Sequence, residues 1–505
     1  MPDSALFDPT MKPKRSFLNA VKWAYSANWG DRAFSALFTF ILAAILGPRD
    51  FGLVSIGLIY LSFMQMFLDQ GLVAALIQRP ELKRQHCDSV FWINLFLSLL
   101  LVGLTVLLSG WWARINHAPD LAQLLSVMSL SIPLEGLSIV QSALLRRDMD
   151  FKSLAIRSNV SVLLGGLVGI AMALAGFRAW SLVGQQLARD FSALLLLWKL
   201  GNWRPRLAFS WRHLKELLGF SVHNFVAQLG IFVDMQAGSV LLGVLFGPVA
   251  VGLYRLADRL MNSVVVMATS SIQAVSLPEF SRVQDQPEEL RKSALSCIRL
   301  SATVTVPALA GMAVVSGPLM ATLGSRWVAA TDVLRVLCLL GMSLVLSYFT
   351  GPLLQALGRT KQLAILEWAR MAVGMAFLVV TATLVKNASV NWQVTGIALA
   401  RFVPTVFLVT PFFVYILMHF CMLSGRDLVS ATAPSMLSAA GILISVFLFQ
   451  QTGILGADKP VVTLASQVLV GGSSGLVILL GMDRNLREAL WRMVLGMRGS
   501  ATIFK

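Results

Sequence analysis

Apolar runs of about twenty residues recur from one end of this chain to the other, separated by short loops. A helix of that length crosses the roughly 30 Å hydrocarbon core of a bilayer, which leaves few soluble folds open to the sequence. The charge content agrees. Of 505 residues, 56% are hydrophobic and 13% charged, whereas a soluble domain carries roughly 25% charged residues. Alternation of period two is weak, so an outer-membrane barrel is disfavoured. The expected fold class is an all-α polytopic membrane protein, in which each backbone polar group is satisfied inside its own helix.

About fourteen spans are expected. The first six lie near 20–46, 51–77, 88–112, 119–145, 153–176 and 179–200, and the second six near 217–246, 250–275, 294–322, 329–357, 361–385 and 391–419. Two more fall near 430–451 and 461–481. The intervening loops alternate in charge. One side holds Lys12, Lys14, Arg15, Arg79, Lys83, Arg84, Arg146, Arg147, Lys152, Arg204, Arg206, Arg212, Lys215, Arg282, Arg291, Lys292, Arg359, Lys361 and the tail arginines. The other holds little beyond Arg49, Arg114, Arg178, Arg326, Lys386 and Lys459. Basic loops mark the cytoplasmic side, so both termini are expected there. The formal net charge of +16 is thus spread over loops facing anionic headgroups, and no nucleic-acid partner is expected. Lys12, Lys14 and Arg15 are followed by an interrupted stretch and then a full-length span with no small-residue cleavage site, so the first span is expected to be retained.

Several chemistries lack their residues. Cys87, Cys297, Cys338 and Cys421 stand far apart with no CxxC pair, and no histidine cluster suggests a metal. No phosphate-binding Gly-x-x-x-x-Gly-Lys-Ser/Thr loop is present. The outer loops have roughly a dozen residues at most, too few for an extracytoplasmic catalytic domain. The chain is expected to be no enzyme and to use no cofactor.

The sequence resembles itself at an offset of about 200–213 residues. Gly47-Pro48 and Gly52-Leu53 recur as Gly247-Pro248 and Gly252-Leu253; Arg146 and Arg157 match Arg359 and Arg370; Trp180, Gly184 and Arg189 match Trp392, Gly396 and Arg401. The expected organisation is an N-terminal lobe of six helices (1–200), a cytoplasmic linker (201–216) and a C-terminal lobe of six (217–420). Two added helices (421–482) and a basic tail (483–505) complete the chain. An even number of spans per repeat makes the lobes parallel, related by a pseudo-two-fold axis along the membrane normal, as in transporters whose lobes rock about a central site.

The segments Gly47-Pro48-Arg49-Asp50-Phe51-Gly52-Leu53, Asp69-Gln70-Gly71-Leu72 and Ala75-Leu76-Ile77-Gln78 resemble the first hairpin of bacterial Wzx-like and colanic-acid-exporter-like polysaccharide flippases. These belong to the multidrug/oligosaccharidyl-lipid/polysaccharide (MOP) superfamily. Asp234, Gly243, Gly247, Gly252, Tyr254, Leu277-Pro278, Gly324, Trp327 and Gln355-Ala356-Leu357-Gly358-Arg359 extend the resemblance over about residues 15–420. It implies an inner-membrane secondary transporter moving a polyprenyl-pyrophosphate-linked oligosaccharide to the periplasmic leaflet, for exopolysaccharide or lipopolysaccharide synthesis. Polysaccharide polymerase machinery would be a partner. A multidrug cation antiporter of the same superfamily and a non-transporting scaffold for polysaccharide enzymes are the alternatives.

Ionisable groups within the spans cost at least about 2.5–3.5 kcal/mol each unless partnered or hydrated, which makes them the candidate site. A diphosphate suits arginine, whose planar fork bonds two phosphate oxygens at once. Arg32, Arg255 and Arg259 are the first candidates for the headgroup, because related flippases place cations on the first and eighth spans; Arg189 and Arg401 follow. Arg255, Asp258 and Arg259 share one helical face, so Asp258 could instead neutralise its neighbours. Glu367 and Arg370 are expected to pair along their helix. Asp69, Asp234 and Asp258 are candidates for coupling a proton or Na⁺. Trp111, Trp112, Trp180, Trp327 and Trp392 are expected to form interfacial belts, Ser281–Lys292 a hinge helix, and the tail around Trp491 a surface segment.

Overall fold

The computed structural model describes residues 17–69, 72–79, 81–218, 221–452, 460–482 and 487, and among these there is helix and no strand. The expected tail segment around Trp491 lies outside the described residues. The chain divides into two compact units, Met1–Leu256 with Leu378–Ile397, and Ala257–Phe377 with Ala398–Lys505.

The first unit opens with α1 (Phe17–Ile45), α2 (Pro48–Asp69), α3 (Leu72–Gln78) and α4 (Arg84–Ile115). A broken span follows as α5 (Leu121–Met128), α6 (Ser131–Gly136) and α7 (Ile139–Arg147). Then come α8 (Phe151–Leu174), α9 (Ala179–Leu200), the short α10 (Trp211–Leu218) and the start of α11 (Ser221–Arg282). The second unit takes the rest of α11, then α12 (Pro287–Val314), α13 (Ser316–Thr322), α14 (Thr331–Ser343) and α15 (Thr350–Ala356). Most of α16 (Thr360–Leu384) and the end of α17 (Val390–Pro404) follow, with α18 (Thr410–Phe420), α19 (Gly425–Gln451) and α20 (Pro460–Met482).

Among the described residues, eleven helical stretches are long and apolar enough to cross a membrane. One of these, Phe232–Arg282, is 51 residues long. At 1.5 Å per residue that is about twice the thickness of a hydrocarbon core, and it is broken at Gly247, where φ is 78°. Helices α1 and α9, of 29 and 22 residues, also have spanning length. They carry Asp31 with Arg32 and Arg189 with Asp190, which dilute their apolar character.

The repeat has a direct structural counterpart inside the first unit. A Cβ on Gly52 would collide with the Pro248 carbonyl, and one on Gly252 with the Pro48 carbonyl. Each Gly-Pro-x-x-x-Gly motif therefore packs its bare glycine on the other's backbone. Gly184 likewise faces Met172 as Gly396 faces Val385, so the equivalent glycines meet residues that are themselves offset by the repeat.

Each unit also has an apolar cluster on the side of the basic loops. Leu72, Leu76, Leu82, Cys87, Phe91 and Leu144 pack with Trp203 and Leu214 of the linker. The linker is tied down: Trp92 donates to the Arg206 carbonyl at 2.7 Å, Gln141 to that of Trp203 at 2.7 Å, and the Ser210 amide to Ser89 Oγ at 2.9 Å. Arg147 donates to the carbonyls of Leu76, Ile77 and Arg79, closing the end of α3. In the second unit Phe280, Leu290, Cys297, Phe349 and Leu417 form the matching cluster.

Two expectations are corrected. Ser281–Lys292 is not a separate hinge helix: α11 runs to Arg282 and α12 starts at Pro287 after a short turn, with proline in its first turn as helix starts favour. Trp327 is no belt residue, being only 1% exposed inside the second unit. Trp111 and Trp392 do stand exposed. All four cysteines are free and buried.

Candidate functional site

Asp31, Arg32, Arg189 and Asp190 of the first unit lie on α1 and α9, which both pack against α8. Helices α8 and α9 approach closely at Gly165, where an added Cβ would stand 2.7 Å from the Gln185 carbonyl and 2.8 Å from Arg189 Cβ. Two turns earlier on the same α8 face, Ser158 donates to Asp31 Oδ1 at 2.9 Å. Arg189 Nη2 reaches the same oxygen at 3.0 Å. One carboxylate of α1 is thus held by a hydroxyl of α8 and a guanidinium of α9. Arg32, the next residue, is half-buried and has no hydrogen-bond or ion-pair partner among the described residues. Further along α9, Asp190 accepts from Gln186 Nε2 at 2.9 Å. On α11, Arg255 Nη1 donates to the neutral amide of Gln236 at 3.3 Å.

The second unit has its own intramembrane pairs. Asp258 lies 3.7 Å from Arg401, the repeat mate of Arg189. Arg189 and Arg401 thus each meet an aspartate, although from helices that are not repeat mates. Asp258 faces Arg401 rather than simply neutralising its i−3 neighbour, since Arg255 bonds Gln236. Arg259 is exposed at the same end of α11 and has a partner. Glu367 and Arg370 pair along α16 at 2.8 Å, as their spacing predicts. Asp234 is half-buried and partnered, and the side chain of Asp69 lies outside the described residues.

A reading of formal charges alone missed Ser158, Gln186 and Gln236. The available signal was any polar side chain in mid-span, because a hydroxyl or amide there also needs a partner. No three His, Cys, Asp or Glu side chains converge among the described residues. Asp31 and Asp258 are both taken up by arginine, whereas Arg32 has no partner among the described residues and Arg255 and Asp190 are each held by a neutral amide.

A family described as polysaccharide biosynthesis protein matches residues 41–332. The chain belongs to this family. Relatives include the succinoglycan biosynthesis transport protein ExoT of Rhizobium meliloti, 30% identical over 66% of this chain and 67% of that protein. The teichuronic acid biosynthesis protein TuaB of Bacillus subtilis is 27% identical over 59% of this chain and 62% of its own length. For the lipopolysaccharide biosynthesis protein WzxC of Escherichia coli the figures are 24%, 69% and 72%. Among solved structures, the lipid II flippase MurJ matches with a TM-score of 0.72 at 14% identity, covering 92% of this chain and all of that one. A MATE-family multidrug transporter of the MOP superfamily gives 0.59 at 18% identity, over 79% and 98%. This member of the polysaccharide biosynthesis family therefore has the MOP transporter fold, and it is a multi-pass membrane protein.

Proposed function

We propose that the protein is a secondary flippase that carries a polyprenyl-pyrophosphate-linked oligosaccharide from the cytoplasmic to the periplasmic leaflet of a bacterial inner membrane. The observation that carries this reading is the imbalance of charge within the spans. Asp31 and Asp258 are engaged by Arg189 and Arg401. Arg32 has no partner among the described residues, and Arg255 is held only by a neutral amide. Such groups suit a diphosphate, while Asp190, held by the neutral amide of Gln186, is the carboxylate a cation antiporter would use. The names of ExoT and WzxC, a succinoglycan transport protein and a lipopolysaccharide biosynthesis protein, support the same substrate class.

In this reading the lobes 1–200 and 217–420 alternate around the diphosphate, and Arg32, Arg255 and Arg259 hold it. Both termini lie in the cytoplasm with the basic loops. Protonation of Asp258 would release Arg401 and is one route to coupling; Asp69 and Asp234 are the other candidate carboxylates. The decisive measurement is flipping of a labelled lipid-linked oligosaccharide in proteoliposomes. A folded Arg32→Ala/Arg255→Ala/Arg259→Ala protein is expected to lose at least about tenfold in rate, by about 1.4 kcal/mol or more in transition-state free energy. Wild-type flipping by that variant would remove the site assignment. Export of cationic drugs with no flipping would transfer the protein to the antiporter class.

A further inference from the structure

The second unit has an apolar groove of about 510 Å³ between α16 and α18, floored by Leu354 of α15. That volume lies in the range of small-molecule sites, about 300–1,000 Å³. One wall is a single face of α16, with Ile365, Leu366, Ala369 and Val373 at helical spacing. The other is Phe412, Tyr415 and His419 of α18, successive rings 6.2 and 5.9 Å apart. A π-helical turn at Thr405–Val409 leads into α18 after Pro404 and widens the chain's path at this point.

The two ends of the groove differ. At the end nearest the basic loops, Gln362, His419 and Phe420 line it, and the Arg359 guanidinium sits 4.5 Å over the Phe420 ring. Lys361 is exposed beside Gln362. About 12 Å along the wall stands Arg370, ion-paired with Glu367, and apolar Val373 and Leu408 line the groove beyond it. From Gln362 to Val373 the α16 wall rises about 16 Å at 1.5 Å per residue, half of a roughly 30 Å hydrocarbon core.

We infer that this groove is a binding site for an anionic phospholipid of the leaflet that faces the basic loops. One acyl chain lies between α16 and α18, and the phosphate is met by Arg359 and Lys361. The depth is that of one leaflet. The cations stand where a headgroup would sit, and arginine held over an aromatic ring keeps its outer donors free for phosphate. The groove is one leaflet deep, which suits an acyl chain and separates this site from one for a longer polyprenyl tail. The inference does not depend on what the protein transports.

The test is native mass spectrometry of the delipidated full chain, titrated with phosphatidylglycerol or phosphatidylcholine of identical acyl chains. Phosphatidylglycerol should be retained at least about tenfold better, and Ala369→Trp, which fills the groove, should abolish that retention with the melting temperature unchanged. If Ala369→Trp does not fold, Ile365→Trp on the same wall, at an exposed position, gives the same readout. Arg359→Gln/Lys361→Gln should make the two lipids equal. Equal retention of both lipids by the wild type, or undiminished binding in the groove-filling variant, would overturn the proposal. So would displacement of the phospholipid by an equimolar polyprenyl diphosphate, which would give the groove to a longer chain.

Discussion

At the scale of single residues, the ionic contacts between helices are the ones that join distant stretches of sequence. Asp31 and Arg189 are far apart in the chain, as are Asp258 and Arg401. Removing one partner of such a pair leaves the other charged in a medium that solvates it poorly. The Arg189 and Asp31 side chains remain partly accessible, so Arg189→Gln is expected to destabilise the protein by about 1–2 kcal/mol, with a coupling of at least about 0.5 kcal/mol to Asp31→Asn in a double-mutant cycle. Unfolding in mixed micelles measures both, and strictly additive effects would mean that the contact carries no coupling. The sequence made these residues visible as candidates, since any charge in mid-span attracts notice. It did not reveal their partners, because helical spacing constrains neighbours three and four residues apart and says nothing of which helices abut. That is why the pairing of Glu367 with Arg370 was legible and that of Asp258 with Arg401 was not.

At the scale of elements, glycines separate into those that permit contact and those that do not. Gly52 and Gly252 each face a proline carbonyl of the opposite motif, whereas Gly103 on α4 faces open space. Gly252→Ala should prevent folding or remove several kcal/mol, because the atom it would strike is backbone and cannot rotate away. Gly103→Ala should be neutral or stabilising by up to about 1 kcal/mol. Yield and melting temperature of the two variants in detergent compare them directly, and equal tolerance would contradict the crossing. The sequence repeat predicted that these motifs were equivalent. That they touch each other could not be read from it, because an offset relates two segments without saying how far apart they lie. The same gap explains Trp327. Its place near the end of a span suggested an interfacial ring, but burial depends on neighbours contributed by other helices.

At the scale of the whole molecule, topology follows from where the basic side chains are held. Many of them stay solvated, while Arg147 closes the end of α3 and Arg204 bonds the carbonyl of Gly201 at 2.6 Å. Cysteine introduced at exposed Arg212 should react with an impermeant maleimide only in inside-out vesicles, and one at Lys386 only in right-side-out cells. The reverse pattern would invert the proposed orientation. The native thiols should not interfere. Cys421, between spans, is buried and its thiol is pushed up to about 12 by that burial, so almost none is thiolate at neutral pH. Labelling of the folded wild type should be negligible until denaturant exposes all four cysteines.

The meeting of the two Gly-Pro-x-x-x-Gly motifs has a bearing on ancestry. A motif that packs on its own duplicate has the form of an isologous interface, in which the same patch of two identical subunits comes together about a two-fold axis. Before gene fusion, that patch would have been a homodimer contact, and any bulky replacement in it would have counted twice. After fusion each copy could diverge elsewhere, but a side chain added to either glycine still strikes the other copy's main chain. The two motifs are therefore bound to drift together, and they would outlast most other traces of the duplication.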